Sequence, residues 1–354
     1  MHARLQTAHE VEEQFLVRAR NMRDAAQLSY AHAMQSQTWY LLGEFVQAKT
    51  HTEKGLAFYD PQQHRSQVSR YNNDARGICL TFDALALWGL GYPDQALRRS
   101  QEALAWGQEL SNAFSLAFIL EQAAVFHVFR REEWAVQERA EAGVTLAREH
   151  GFALREAYSN ILLGWVLARQ DRSEEGITRI REGVTAWRAT GAEVAIPFFL
   201  AWLAEAYGKS GRQADGLRAV DEALAIVGKT GERIHEAELH RLRGELTLQK
   251  AAGGWGLGTG EEEKQKSKGK NQKASGTPRT QHPTPSTHEA EREAEGYFLK
   301  AIDIARRQQA KSLELRAVMS VVRLRQQQVT DHATRETDHA ARAALAAAHG
   351  MLSE

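Results

Sequence analysis

The sequence predicts an all-α fold, an α-solenoid of antiparallel helix pairs with repeats of about 40 residues. Three observations carry this: a phrase that recurs down the chain, a fixed spacing of small residues inside each copy, and cap glycines at regular intervals. The phrase reads GKSGRQADGLRAVDEAL at Gly208–Leu224 and RQDRSEEGITRIREGV at Arg169–Val184. FRREEWAVQERAEAGV at Phe129–Val144, GLGYPDQALRRSQEAL ending at Leu104 and GEFVQAKTHTEKGL at Gly43–Leu56 share its layout. Self-similarity at such a period is the signature of stacked repeats.

Three small positions run through the copies. The first holds Ser36, Ala84, Ala123, Gly164, Ala204 and Gly244; the second holds Ala48, Ala96, Ala135, Gly176, Gly216 and Ala294. The third holds Gly55, Ala103, Ala142, Gly183, Ala223 and Ala301. In the first five copies the positions are separated by 12 and then 7 residues. Antiparallel helices approach to the short end of the roughly 8–10 Å range only where contact residues are small. The first and second positions are therefore expected to face each other within a pair, and the third to meet the next repeat. A bulky residue three places after the first position (Trp39, Leu87, Phe126, Leu167, Tyr207) fills the remaining space. From Ala96 to Gly216 the second position advances by 39, 41 and 40 residues.

Element by element, a capping helix is expected near Thr7–Asn21, within an N-terminal segment 1–28, and repeats from 29 to 250. Gly151, Gly191 and Gly231 stand 40 apart, each just past an apolar helix, where glycine supplies the left-handed cap. Pro93 and Pro197 occupy first-turn positions. The sixth repeat is split, with helices expected at about 233–250 and 289–309. Between them, 251–288 is rich in Gly, Ser, Thr, Lys and Pro and reads as a disordered insert. The segment 289–354 completes the sixth repeat and adds end helices at about 312–327 and 336–351.

Composition excludes several classes. Lys plus Arg and Asp plus Glu are 45 each, so the basic excess of a nucleic-acid-binding domain is missing. One cysteine, Cys79, permits no intrachain disulfide and no cysteine-built zinc site. The apolar runs Ala195–Ala204 and Ile161–Ala168 fall short of the ~20 residues of a membrane span. A cytoplasmic protein is expected, with neither nucleic acid nor membrane as partner.

The small-and-bulky order from about residue 29 to 310 resembles the tetratricopeptide repeat. ALALWGLGYPDQALRRSQEAL (84–104), LAEAYGKSGRQADGL (203–217), ELHRLRGEL (238–246) and KAIDIARRQQAKSLELRA (300–317) go further. They resemble the C-terminal tetratricopeptide region of bacterial adenylate or guanylate cyclase and predicted-ATPase proteins, similar in turn to the maltose-operon activator type. The polar insert is also similar to that family. The resemblance implies a tetratricopeptide-like α-solenoid acting as a non-enzymatic protein-interaction scaffold. It would be the sensor or regulatory arm of a signalling system linked to a nucleotide cyclase or P-loop ATPase. Two alternatives stand beside it: a piece of a multidomain cyclase or ATPase, and the helical domain of a transcriptional regulator.

The chemistry-bearing residues have plain readings. Gly269-Lys270 is followed by Asn271, where a phosphate loop needs Ser or Thr. His235 and His240 are five apart, not the four of a zinc-protease helix, and read as a surface helix with one histidine near an interface. Cys79 reads as a buried structural thiol. Glu132-Glu133 and Glu174-Glu175 read as second-helix starts, where acids favour the dipole. The six basic residues from Lys264 to Arg279 read as a solvated linker. Trp39, Trp134 and Trp202 read as packing residues. No catalytic, metal or cofactor site is expected. A solenoid's concave face binds peptides. The candidates facing it, for a protein or peptide ligand, are Trp88, His127, Tyr158, Trp165, Glu205, Lys209, Arg241 and Glu245.

Overall fold

The computed structural model describes residues 5–64, 73–253 and 285–329. Among these residues every regular element is a helix. A capping helix, α1 (Leu5–Met22), precedes the first pair, α2 (Ala25–Leu41) and α3 (Phe45–Phe58); a single turn, α4 (Pro61–His64), follows. The next pairs are α5 (Ala75–Gly89) with α6 (Pro93–Glu109), and α7 (Ala113–Arg130) with α8 (Glu133–His150). Then come α9 (Ala153–Arg169) with α10 (Ser173–Ala189), and α11 (Ile196–Lys209) with α12 (Gln213–Thr230). The sixth pair is α13 (Glu236–Gly253) with α14 (Pro285–Arg307), and α15 spans 311–329. Consecutive helices pack on one another, so the chain is a helical-repeat solenoid. The expected insert, apart from its ends, and the expected helix at 336–351 lie outside the described residues.

The pairs share one turn geometry. First helices end on a left-handed residue, Gly43, Gly91, Arg131, Asp171 or Gly211. The next residue starts the second helix: Tyr92, Glu132, Arg172 and Arg212 stand 40 apart. Second helices end on Ser111, Gly151, Gly191 and Gly231, again 40 apart and all at positive φ. The three glycines fulfil the expectation; Ser111 takes the same conformation at the cost of a side chain there.

Close packing follows the small residues, with two corrections. A methyl on Gly176 would lie 2.6 Å from the Gly164 carbonyl oxygen, and one on Gly216 3.1 Å from that of Ala204. One on Gly244 would lie 3.0 Å from the Ala294 carbonyl. First and second positions therefore face each other as expected. In the third copy the register is one residue later than the sequence suggested. Ala142 is exposed, whereas Gly143 is buried against the Ser159 hydroxyl, and Ala124 and Val136 are the matching inner residues. This makes the repeat 40 residues long at each step from Ala96 to Gly216, in place of 39, 41 and 40. The third position also serves its own pair first: Gly183 faces Ala157 and Ile161 of α9, while Gly55 faces both Ser29 of α2 and Cys79 of α5.

The array curls until its two ends meet. The backbone N–H groups of Arg233 and Ile234, ahead of α13, donate to the Leu41 carbonyl at the end of α2, at 2.9 and 3.2 Å. Gln308 donates to the Arg233 carbonyl at 2.9 Å, and a methyl on Gly43 would overlap its amide. The Ser312 hydroxyl donates to the Trp88 carbonyl, and Lys311 lies against Gly91. One apolar core runs from α2 to the start of α15, with a smaller cluster between α14 and α15. Helix α7 is long and apolar enough to cross a bilayer by length and composition, but most of it is buried inside this core.

Candidate functional site

Five of the eight expected groove residues lie inside the molecule. Trp88, His127, Tyr158, Trp165 and Arg241 are all buried, Trp165 with 1% of its surface exposed. Trp88 stacks on Phe129 at 4.6 Å, and His127 is hydrogen-bonded to Glu132 at 2.5 Å. Lys209 is exposed and donates to the carbonyls of Ala168 and Arg169 at 3.4 and 3.3 Å. Glu205 pairs with Arg131 at 2.5 Å and lies 3.7 Å from Arg169. Arg241 holds Glu238 through two bonds of 2.8 Å and also bonds Glu245, and Arg316 reaches Glu238 at 3.1 Å. Arg241 and Arg316 hold the Glu238 carboxyl down at about 2, against the pull of burial. The eight residues thus form two groups, an aromatic one in the core and a charged seam that ties α7, α9, α11, α13 and α15 together.

Between the ends lies a partly open cavity of about 180 Å³. Its wall comes from Tyr40 and Leu41 of α2, Phe82 of α5, Phe118 and Gln122 of α7, Arg155 and Tyr158 of α9, Trp187 of α10 and Phe198 of α11. Glu232, Ile234 and His235, between α12 and α13, complete it. Tyr158 meets Phe199 at 5.0 Å and Trp187 at 5.5 Å, both edge to face, and Tyr40 meets Phe82 at 5.4 Å with tilted planes. His235 stacks flat on Phe198, with ring centroids 3.8 Å apart. This corrects the reading of its helix as a surface helix: His235 and His240 are both buried. Burial drives the His235 ring down to about 3, so it is neutral.

Two charged groups serve the cavity differently. Arg155 is paired with the buried Glu121 at 2.8 Å and lies over the rings of Phe114 and Phe118. Glu232 is 1% exposed, and among the described residues no cation pairs with it. Both of its oxygens accept from one donor, the Ala195 N–H, at 3.1 Å. Ala195 holds φ at +68°, a conformation that L residues rarely adopt. Desolvation pushes the Glu232 carboxyl up to about 8. The Trp187 indole N–H donates to the Val194 carbonyl at 2.9 Å, fixing the same linker from the other side.

Sequence reasoning missed Glu232 and Arg155. An acid one place after a cap glycine looks like any solvent-facing turn residue, and an Arg in a helix looks like a surface cation. Trp134 was expected to pack and is 75% exposed at the start of α8. Cys79 is buried as expected, and burial pushes its thiol up, out of the reactive range. A second, open concavity of about 900 Å³ lies over α9 between α8 and α10. There Arg148 pairs with Glu156 at 2.7 Å, both part-exposed, and Arg179 is hydrogen-bonded to the uncharged Asn160 at 2.9 Å. The smaller cavity between the ends is the stronger candidate site, because Glu232 and His235 in its wall are desolvated and Glu232 is incompletely paired.

The fold and the cavity define a closed helical-repeat protein. No family model matches the chain. It is 25% identical over 206 residues to Uncharacterized protein R02095 of Rhizobium meliloti (strain 1021). That similarity covers 58% of this chain and 20% of the relative, which is therefore a far longer protein.

Proposed function

We propose that the chain is a tetratricopeptide-like, non-enzymatic regulatory arm whose signal is a small molecule taken up between the two ends of the array. The observation that carries this is the origin of the cavity wall. Helices α2, α5, α7, α9, α10 and α11 and the segment before α13 all contribute, so an occupant touches both sides of the Leu41–Ile234 closure. A ligand that binds only the closed form shifts the population toward it by its differential affinity. The change is then read at the ends and outer surface by a protein partner. The sequence resemblance makes a nucleotide cyclase or P-loop ATPase module the proposed partner, in the cytoplasm. The greater length of the rhizobial relative supports a second reading, in which such an array is one region of a longer cyclase or ATPase chain.

The test is thermal denaturation of the purified full chain against a panel of amines, sugars, amino acids and nucleosides, repeated on Val125→Phe, which enlarges a residue of α7 that also lines the cavity and so narrows it. A saturable rise in Tm with one class, lost in the variant, is expected. No rise with any class, or a rise that survives the substitution, refutes the cavity as the sensing site. Turnover of ATP or GTP by the chain alone would refute the non-enzymatic reading.

A further inference from the structure

We propose that the cavity takes a small organic ammonium ion, held by the Glu232 carboxylate and the faces of the surrounding aromatic rings. This rests on the reading of the cavity as a ligand site and names the ligand's chemistry. The first argument is charge. The ionisable groups facing the cavity are Glu232, Arg155 with its partner Glu121, His235, and the phenols of Tyr40 and Tyr158. Burial pushes the Glu121 carboxyl up, but a neutral Glu121 would leave the Arg155 guanidinium 2.8 Å away as a buried unpaired cation, so the two are ionised together and cancel. His235 is neutral and the phenols carry no charge at pH 7, so ionised Glu232 adds one negative charge with no counter-ion in the wall. The second is acceptor capacity. A carboxylate offers about four acceptor sites, and here, among the described residues, a single N–H serves both oxygens. The third is the wall. Six aromatic rings line the space, and ring faces attract ammonium groups most where water is excluded.

The size sets the class. A cavity of roughly 150 Å³ holds benzene, so about 180 Å³ suits an amine of about seven or eight non-hydrogen atoms. Without a ligand, burial keeps the Glu232 carboxyl protonated at pH 7. An arriving primary ammonium group forms N–H···O bonds to the carboxylate, a quaternary one pairs with it by charge alone, and in either case the carboxyl proton leaves to solvent. Each binding event therefore releases close to one proton at pH 7.

The experiment is isothermal titration of the full chain at pH 7 with benzylamine, butylamine and tetramethylammonium, and with benzyl alcohol as the uncharged counterpart. Two buffers of different ionisation enthalpy report the proton. At least one ammonium compound is expected to bind one to one with near-unit proton release, and benzyl alcohol about tenfold more weakly than benzylamine. In Glu232→Gln, which keeps the bond from Ala195, the ammonium affinity is expected to fall about tenfold while that of benzyl alcohol holds. Equal affinity for amine and alcohol, or binding without proton release, overturns the proposal; both readouts use the native chain and stand even if the variant fails to fold. If benzyl alcohol binds and Val125→Phe removes it, the cavity reading survives while the ammonium assignment fails. If nothing in the set binds, the ammonium assignment is overturned, and the broader Tm panel decides the cavity reading separately.

Discussion

A single methyl group separates two outcomes in this fold. Gly176 and Gly228 both sit inside second helices, and Ala has a helix propensity about 1 kcal/mol better than Gly. At Gly228 an added methyl meets nothing within 4 Å, so Gly228→Ala is expected to stabilise the chain by about 0.5–1 kcal/mol. At Gly176 the methyl would lie 2.6 Å from the Gly164 carbonyl oxygen, 2.7 Å from the Ala168 nitrogen and 2.8 Å from the Ala168 methyl. Two of these are backbone atoms of α9 and cannot swing away. The helices must separate, and with them the packing of Ile177 and Ile180, both fully buried against α9. Overpacking of this kind costs about 1–3 kcal/mol. Because a whole helix must move, the upper half applies, and the propensity gain offsets about 1 kcal/mol of it. Gly176→Ala should therefore lose about 1–2 kcal/mol in urea denaturation followed by circular dichroism. Stabilisation by both substitutions would show that α9 and α10 do not approach through Gly164 and Gly176, and the small-residue account of the repeat would fall.

Other substitutions and pH follow from the burial. Trp165→Ala removes a side chain that is 1% exposed and should cost about 3–5 kcal/mol in the same assay, marking it as core and not as a peptide contact. Arg241→Ala leaves Glu238 with Arg316 alone and should cost about 3 kcal/mol. Acid should weaken the fold early. His235 titrates near 6.5 when unfolded and about 3 when folded, so the unfolded chain binds more protons in that window and stability falls as pH drops through it. The loss from His235 alone is on the order of 4 kcal/mol; a denaturation midpoint unchanged between pH 7 and pH 4 would contradict it. His32, His51 and His240, each held near 4 mainly by burial, push in the same direction.

Much of the local structure was legible in the sequence because its causes are local. Helix starts and stops, the cap glycines Gly151, Gly191 and Gly231, and the facing of Gly164 on Gly176 follow from helical period and side-chain size. The one-residue slip in the third copy arose where two small residues are adjacent, Ala123 with Ala124 and Ala142 with Gly143. Either choice satisfies a rule that asks only for a small residue, and only the turn at Arg131–Glu132 fixes which is used. Closure was not legible. Leu41 and Arg233 are 192 positions apart, and no periodic signal links a carbonyl at one end to an N–H at the other. The same long-range contact hid the site. Trp88, Tyr158 and Trp165 read as lining a groove because they share its face; in the folded chain they are core, and Glu232, which reads as a turn residue, is a buried carboxyl.

The meeting of the two ends is the centre of this account, and cross-linking tests it most directly. Gly91 and Lys311 lie in contact, with a methyl on Gly91 3.0 Å from the Lys311 Cβ, and the neighbouring Tyr92 is 51% exposed. Cysteines placed at both sites by Tyr92→Cys and Lys311→Cys, with buried Cys79 left in place, should be joined within one chain by a short bifunctional maleimide. Peptide mass spectrometry of the monomer band should show the linked pair in high yield at dilute protein. An open array would set these residues at distant repeats, and failure to form the intramolecular link would contradict closure and with it the cavity.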